Sequence, residues 1–238
     1  MHHFDAVQPG IQAGTTQASS RSGQGRSAAV AIAGAAVIST VAVALDQGAS
    51  GNNPAEILAS IASIQQSKAL VHAIAIASVC AMAYGYSVLA RKLDLQRPAA
   101  LAGLVLYLFG SLAMVGAAVL DGFVIPHVAA DGATAAPERL AFAYNLAHYA
   151  GVALNDLARV AWVLQAAGTL AWSLLLLRVN PFARKIGFVG FLSSALVIAL
   201  VLASPVDMGL APLLSILVAQ LLWNLAAAVL LFREERGL

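Results

Sequence analysis

Three histidines, His72, His127 and His148, are the residues in this sequence best suited to chemistry. Neutral imidazole is a common ligand of zinc and copper, and two imidazoles can ligate a haem iron. The three lie in separate parts of the chain without a diagnostic spacing. They predict a metal or haem site, and the alternative is that each is a solvated or hydrogen-bonded residue.

A second set of polar residues has helical spacing. Asp156 and Arg159 are three apart, so on a helix they predict a local ion pair, with a gate or proton relay as the functional alternative. Gln165 stands in one apolar run, and Gln220 and Asn224 stand four apart in another. Hydrogen bonds between these helices are predicted, and a polar ligand pocket is the alternative.

The composition predicts that a membrane surrounds these residues. The chain is 61% hydrophobic and only 10% charged, whereas soluble domains carry about a quarter charged residues. A lipid bilayer is therefore the predicted partner. The single cysteine, Cys80, excludes an intrachain disulfide and a cysteine-based metal cluster. No Walker loop, hydrolase motif or basic and aromatic nucleic-acid face occurs, so no nucleic-acid partner is expected.

The apolar runs predict an all-α fold, a polytopic transmembrane helical bundle of six spans. Residues 1–26 are polar and rich in Gly, Ser, Thr and Gln, which predicts a disordered or partner-bound tail before the membrane domain of residues 27–238. The predicted spans are Ser27–Leu45, Ala69–Ala90, Pro98–Leu120, Asp156–Leu177, Ile186–Ala203 and Pro212–Phe232.

Two amphipathic helices are predicted on the outer membrane surface. The first begins at Asn53-Pro54, a favourable helix start, and precedes the second span. The second comes from Pro137–Leu177, which reads as helical throughout but would be ~60 Å long, about twice a hydrocarbon core. A break at Gly151 or Asn155-Asp156 is therefore predicted, which leaves a separate outer helix at 137–150.

The basic residues predict the orientation. Ten Lys and Arg residues fall on the side of the two termini and three on the other side, namely Lys68, Arg139 and Arg159. By the positive-inside rule both termini are cytoplasmic in a bacterial inner membrane. All three candidate histidines then lie toward the outer side.

Small residues predict close helix contacts, as at Gly110 and at Gly190 with Ser194, either within the chain or between subunits. The aromatic residues, including Trp172 and Trp223, look too scattered in sequence to form a cofactor-binding group.

The layout resembles a family of bacterial inner-membrane proteins known only as a domain of unknown function. The resembling pieces are LDQGASGNNPAEI, ARKLDLQRP, the stretch Leu120–Trp162 and NPFARKIGFVG, and they cover about residues 27–232. The resemblance implies six spans with a long outer segment before the fourth. It implies no activity and no catalytic residue.

Since no catalytic constellation is found, the leading hypothesis is a non-enzymatic accessory or assembly subunit of a larger membrane complex, with other membrane subunits or a second copy as partners. The runner-up is an outward-facing metal- or haem-binding redox protein that uses His72, His127 and His148. A small-molecule transporter is the third hypothesis. No cofactor is predicted apart from that metal or haem.

Overall fold

The computed structural model describes residues 13–46, 48–204 and 210–234, and it confirms the all-α fold. Its helices are α1 (Ala13–Leu45), α2 (Pro54–Ser63), α3 (Gln65–Lys92), α4 (Pro98–Val119), α5 (Ile125–Ala133), α6 (Pro137–Leu176), α7 (Pro181–Ala203) and α8 (Leu210–Glu234). A π-helical turn, Leu120–Val124, joins α4 to α5. Residues 1–12 of the predicted tail lie outside the described residues, and α1 begins at Ala13.

Within the described residues, six segments are long and apolar enough to cross a membrane, so the chain is an integral, multi-pass membrane protein. They are Gly23–Leu45, Gln65–Lys92, Pro98–Ala133, Pro137–Leu176, Pro181–Ala203 and Ala211–Arg233. Proline opens four of the eight helices in the described part of the chain, at the position where its missing N–H costs nothing. Ahead of α2 and α7, the side chains of Asn53 and Asn180 accept hydrogen bonds from backbone N–H groups at 3.0 and 2.8 Å.

The six spans form a closed ring. Each packs against its neighbours in the order α1, α3, α4, α6, α7, α8, and α8 returns to pack against α1. Basic residues cluster at one end of the ring, here the basic end: Arg26, Arg91, Lys92, Arg97, Arg178, Arg184, Lys185 and Arg233. The opposite end carries the cap, which consists of α2, α5 and residues 137–150 of α6 packed together through Leu58, Ile125, Ala129 and Ala143.

The predicted break in the long helical stretch is wrong. α6 runs unbroken for 40 residues, so residues 137–150 are its first part and not a separate helix. Gly151 lowers helix stability by only about 1 kcal/mol relative to alanine. Ala143 and Ala147 pack into the cap, so contacts with α2 and α5 stabilise the helix on the N-terminal side of that position.

An aromatic layer seals the ring toward its basic end. Tyr86 is fully buried, and its ring stacks on Trp172 and Trp223 with centroid separations of 5.2 and 6.3 Å. Tyr107 completes the layer, 4.4 Å from Tyr86. Four different helices bring these aromatic residues, which lie far apart in the sequence, to one depth.

The small residues make contacts within the chain. Gly110 on α4 lies against Gln165 of α6, and Gly190 on α7 lies against Trp223 of α8. Ser194, one turn beyond Gly190, is only 2% exposed. Both predicted small-residue faces therefore pack one span of the ring against the next.

Candidate functional site

Four charged or ionisable side chains meet where the ring joins the cap, and we call them the cap-end cluster. The Lys68 ammonium lies 2.8 Å from Asp121 Oδ1 and 3.4 Å from Asp46 Oδ2. His72 Nε2 lies 3.1 Å from Asp121 Oδ2, and its Nδ1 lies 2.9 Å from the Lys68 carbonyl oxygen. Carbonyl and carboxylate oxygens only accept, so both contacts are hydrogen bonds only when His72 is an imidazolium. The cluster then carries two positive and two negative charges.

The π-helical turn places Asp121 in the cluster. Pro126 has no N–H to donate to the carbonyl of Gly122 four residues earlier, so the regular α-helical ladder is interrupted there. The chain widens into the π turn, and the Ile125 N–H bonds to the Leu120 carbonyl instead. A Cβ at Gly122 would overlap the Cβ of His72, so glycine is what lets α3 approach the turn.

A central cavity of about 280 Å³ lies inside the ring beside this cluster. Asp46, His72 and Asp121 line its cap end, and Gln165, Gln220 and Asn224 line it deeper in the bundle. The Asn224 carboxamide oxygen accepts a hydrogen bond from the Tyr86 hydroxyl. The cavity thus extends from charged groups at the cap to the aromatic layer.

A smaller floor pocket adjoins the central cavity, because Gln165 and Gln220 line both. Its volume of about 10 Å³ is close to that needed for one water molecule. Among the described residues, Ser194 Oγ finds no hydrogen-bond partner, although it is buried and its residue lines this pocket. An unpaired buried donor costs about 1–3 kcal/mol, so the pocket is suited to an oxygen atom that accepts from it.

The three candidate histidines do not share one place. His72 lies in the cap-end cluster, while His127 is exposed on α5, with Nε2 3.7 Å from Asp131 Oδ2. His148 is exposed on α6, beside Tyr149. In the described part of the chain, the group whose geometry suits a metal ion is Asp46, His72 and Asp121, with ligand atoms within 4.8 Å of one another.

The group of Asp46, His72 and Asp121 is already paired with a cation, the ammonium of Lys68. The Lys68 ammonium contacts both of its carboxylates, and the His72 ring nitrogens are both engaged. A divalent ion would bind only after Lys68 withdrew and His72 lost a proton.

The other candidate polar residues separate into two places. Gln165, Gln220 and Asn224 all line the central cavity, and Gln165 and Asn224 are buried. Asp156 is exposed on α6. Arg159 donates hydrogen bonds to the carbonyls of Val201 and Ser204, at 2.8 and 3.2 Å, where α7 ends. Arg159 therefore caps the last turn of a neighbouring span.

Sequence reasoning did not assign Asp46 and Lys68 to the site. A usable signal is present, because Asp46 directly follows the first apolar run, Lys68 precedes the second and Asp121 follows the third. All three positions fall at one membrane level, and opposite charges at one level in a poorly polar environment tend to pair.

Comparison with known proteins finds no match to a family model, to a curated protein or to a solved structure. A cavity that joins a four-charge cluster to buried carboxamides and hydroxyls can hold a small solute with polar groups at both ends.

Proposed function

We propose that this chain is a small-solute transporter whose central cavity receives its solute from the cap end. The observation that carries the proposal is the cavity itself, which is lined by five of the six spans and extends from the cap-end cluster toward the bundle centre. Ionisable groups placed so near a bilayer interior commonly mark solute or ion pathways.

Two opposed closures support this proposal. At the cap end, ion pairs join the end of α1, α3 and the π turn, so breaking them would free three elements. At the other end, the aromatic layer joins α3, α4, α6 and α8. A binding site between two closures that open in turn is the requirement for alternating access.

We also propose that the protein lies in a bacterial inner membrane with both termini in the cytoplasm. The basic end carries eight of the described Lys and Arg side chains, which by the positive-inside rule faces the cytoplasm. The cap and the cap-end cluster then face the outside, so the cavity would collect solute there.

Cysteine labelling tests access to the cavity. In a Cys80→Ala background, Ala75→Cys places a thiol on the cavity wall of α3. We expect a small, charged, membrane-impermeant thiol reagent added outside to label it at least about tenfold faster than a thiol in lipid, because thiolate forms only where water reaches. The measurement is the labelling rate in oriented vesicles.

Ala77→Cys is the matched control, since Ala77 is exposed on the opposite side of the same helix and does not line the cavity. It should label slowly from either side. Equal rates at the two positions, or labelling of Ala75→Cys only from the cytoplasmic side, would contradict the proposal.

An accessory subunit is the second candidate, and one feature of α6 favours it. This helix is ~60 Å long, about twice a hydrocarbon core, so its first part extends beyond the lipid tails. Phe142, Leu146 and Tyr149 form an exposed apolar stripe on that part. Exposed apolar stripes outside the bilayer are typical of protein interfaces.

A photo-crosslinking residue at position 142 or 149 tests this second candidate in native membranes. We expect one discrete adduct at both positions and none at position 138, which is polar and exposed on the same part of α6. Crosslinks to lipid alone would count against a subunit role.

A further inference from the structure

We propose that the solute is a small organic amine that also carries a hydrogen-bonding oxygen, with its ammonium at the cap-end cluster and its oxygen in the floor pocket. This inference rests on the proposed function, because it names the solute class for the same cavity. Two independent observations, one at each end of the cavity, carry it.

At the cap end, the cluster is already an ammonium site. The Lys68 ammonium lies between Asp121 and Asp46, yet Lys68 itself does not line the cavity, whereas both carboxylates do. Asp46 Oδ1 is buried and has no hydrogen-bond partner among the described residues. A solute ammonium offers three N–H donors and one positive charge, so it can take the place of Lys68 and also satisfy this oxygen.

At the other end, the floor pocket has an unused donor. Ser194 lines this pocket and is 2% exposed, and its hydroxyl has no partner among the residues described. The pocket has room for a single oxygen atom, which can accept a hydrogen bond from the Ser194 hydroxyl. A hydroxyl or carbonyl oxygen of the solute meets this condition.

Between the two ends, the cavity wall is mainly apolar, with Val71, Ala75, Val79 and Met114 among its residues. The separation of the two ends can be measured along α4 and the π-helical turn. Gly110 packs against Gln165 and precedes Asp121 by eleven residues, which corresponds to ~16 Å of helix. Asp121 and Gln165, at the two levels, both line the cavity. A short hydrocarbon chain that separates an amine from an oxygen fits the arrangement.

Calorimetric binding to the full-length protein in lipid nanodiscs tests the proposal with three probes of equal chain length: 6-aminohexan-1-ol, hexan-1-amine and hexane-1,6-diol. We expect the amino alcohol to bind most tightly. The amine should bind about 2- to 10-fold more weakly, which is the contribution of one neutral hydrogen bond. The diol should bind at least about tenfold more weakly, because it offers no charge to the carboxylates.

Single variants assign each end of the solute. Asp46→Asn should weaken both amines by about tenfold and the diol by less, because the diol loses no charge–charge contact. Ser194→Ala should weaken the amino alcohol by about 2- to 10-fold and leave hexan-1-amine unchanged. Ser111→Ala is the matched serine control, since Ser111 is buried on α4, bonds to its own helix and lines neither cavity. It should change none of the three affinities.

The results also separate failure of this inference from failure of the proposed function. If Ala75→Cys is labelled from outside but the diol binds as well as the amines, the cavity is accessible and the solute class is wrong. If amines bind only after Lys68→Met, then Lys68 is a permanent structural cation and the inference is overturned. If no probe binds and Ala75→Cys is not labelled, the proposed function fails with it.

Discussion

Asp121→Asn should lower the free energy of unfolding by about 3–5 kcal/mol, the largest effect we expect from a single isosteric change. Lys68 and His72 both contact this carboxylate, and the Lys68 side chain is only 9% exposed. Lys68 keeps its contact with Asp46 at 3.4 Å, but without Asp121 the cluster holds two positive charges and one negative, and this uncompensated charge sets the magnitude. The measurement is equilibrium unfolding in mixed micelles.

Asp94→Asn is the matched control on the basic side. Asp94 lies 3.7 Å from Arg97, and both side chains are more than half exposed. An exposed pair of this kind contributes at most about 1 kcal/mol. The double variant Asp121→Asn with Lys68→Met should recover most of the stability lost by Asp121→Asn, because the uncompensated charge is gone. Additive losses in the double variant would show that the two side chains are not coupled.

Two glycines of α6 should respond to alanine in opposite directions. A Cβ at Gly168 would lie 2.6 Å from the Gly103 carbonyl oxygen and 3.1 Å from the Tyr107 backbone nitrogen, so α4 and α6 would have to separate. We expect Gly168→Ala to destabilise the fold by about 1–3 kcal/mol. Thermal unfolding followed by tryptophan fluorescence measures the change.

Gly151→Ala is its counterpart on the same helix, because a Cβ there would meet nothing within 4 Å. It should stabilise the protein by about 0.5–1 kcal/mol, since alanine loses less backbone entropy in a helix. Destabilisation by Gly151→Ala would mean that α6 bends at this position after all.

The spans were predictable because each one is a long local pattern of apolar residues, and six such patterns needed no tertiary information. The unbroken α6 was not predictable by the same reasoning. Its first part is held by α2 and α5, and a contact between distant segments leaves no periodic trace in the sequence. The bilayer-length argument for a break at Gly151 failed because nothing requires the whole helix to lie in lipid.

The site was predictable only in pieces. His72 and the three carboxamide residues were identified because polar groups in apolar runs are conspicuous. Their partners were not, because the pairing of Lys68 with Asp121 depends on which spans are neighbours in the ring. The floor pocket was beyond sequence reasoning altogether, since an unpaired serine looks the same in sequence as one bonded to its own helix.

The closed ring has a consequence for biosynthesis. α1 ends at Leu45, and its ring partner α8 ends at Glu234, so the two are separated by most of the chain. At bacterial and eukaryotic synthesis rates of about 5–20 residues per second, α8 follows α1 by roughly ten to forty seconds. During that interval the ring of spans is incomplete, because the position that α8 will occupy between α7 and α1 is empty.

Gln165 and His72 enter the membrane before the wall that later shields them from lipid. In the nascent chain these polar side chains would therefore be exposed to hydrocarbon until α8 is inserted. This exposure is unfavourable in free energy unless the insertion machinery or lipid headgroups supply polar contacts. Ribosome stalling or rare codons between α7 and α8 should then hasten quality-control degradation more than the same pause between α4 and α6.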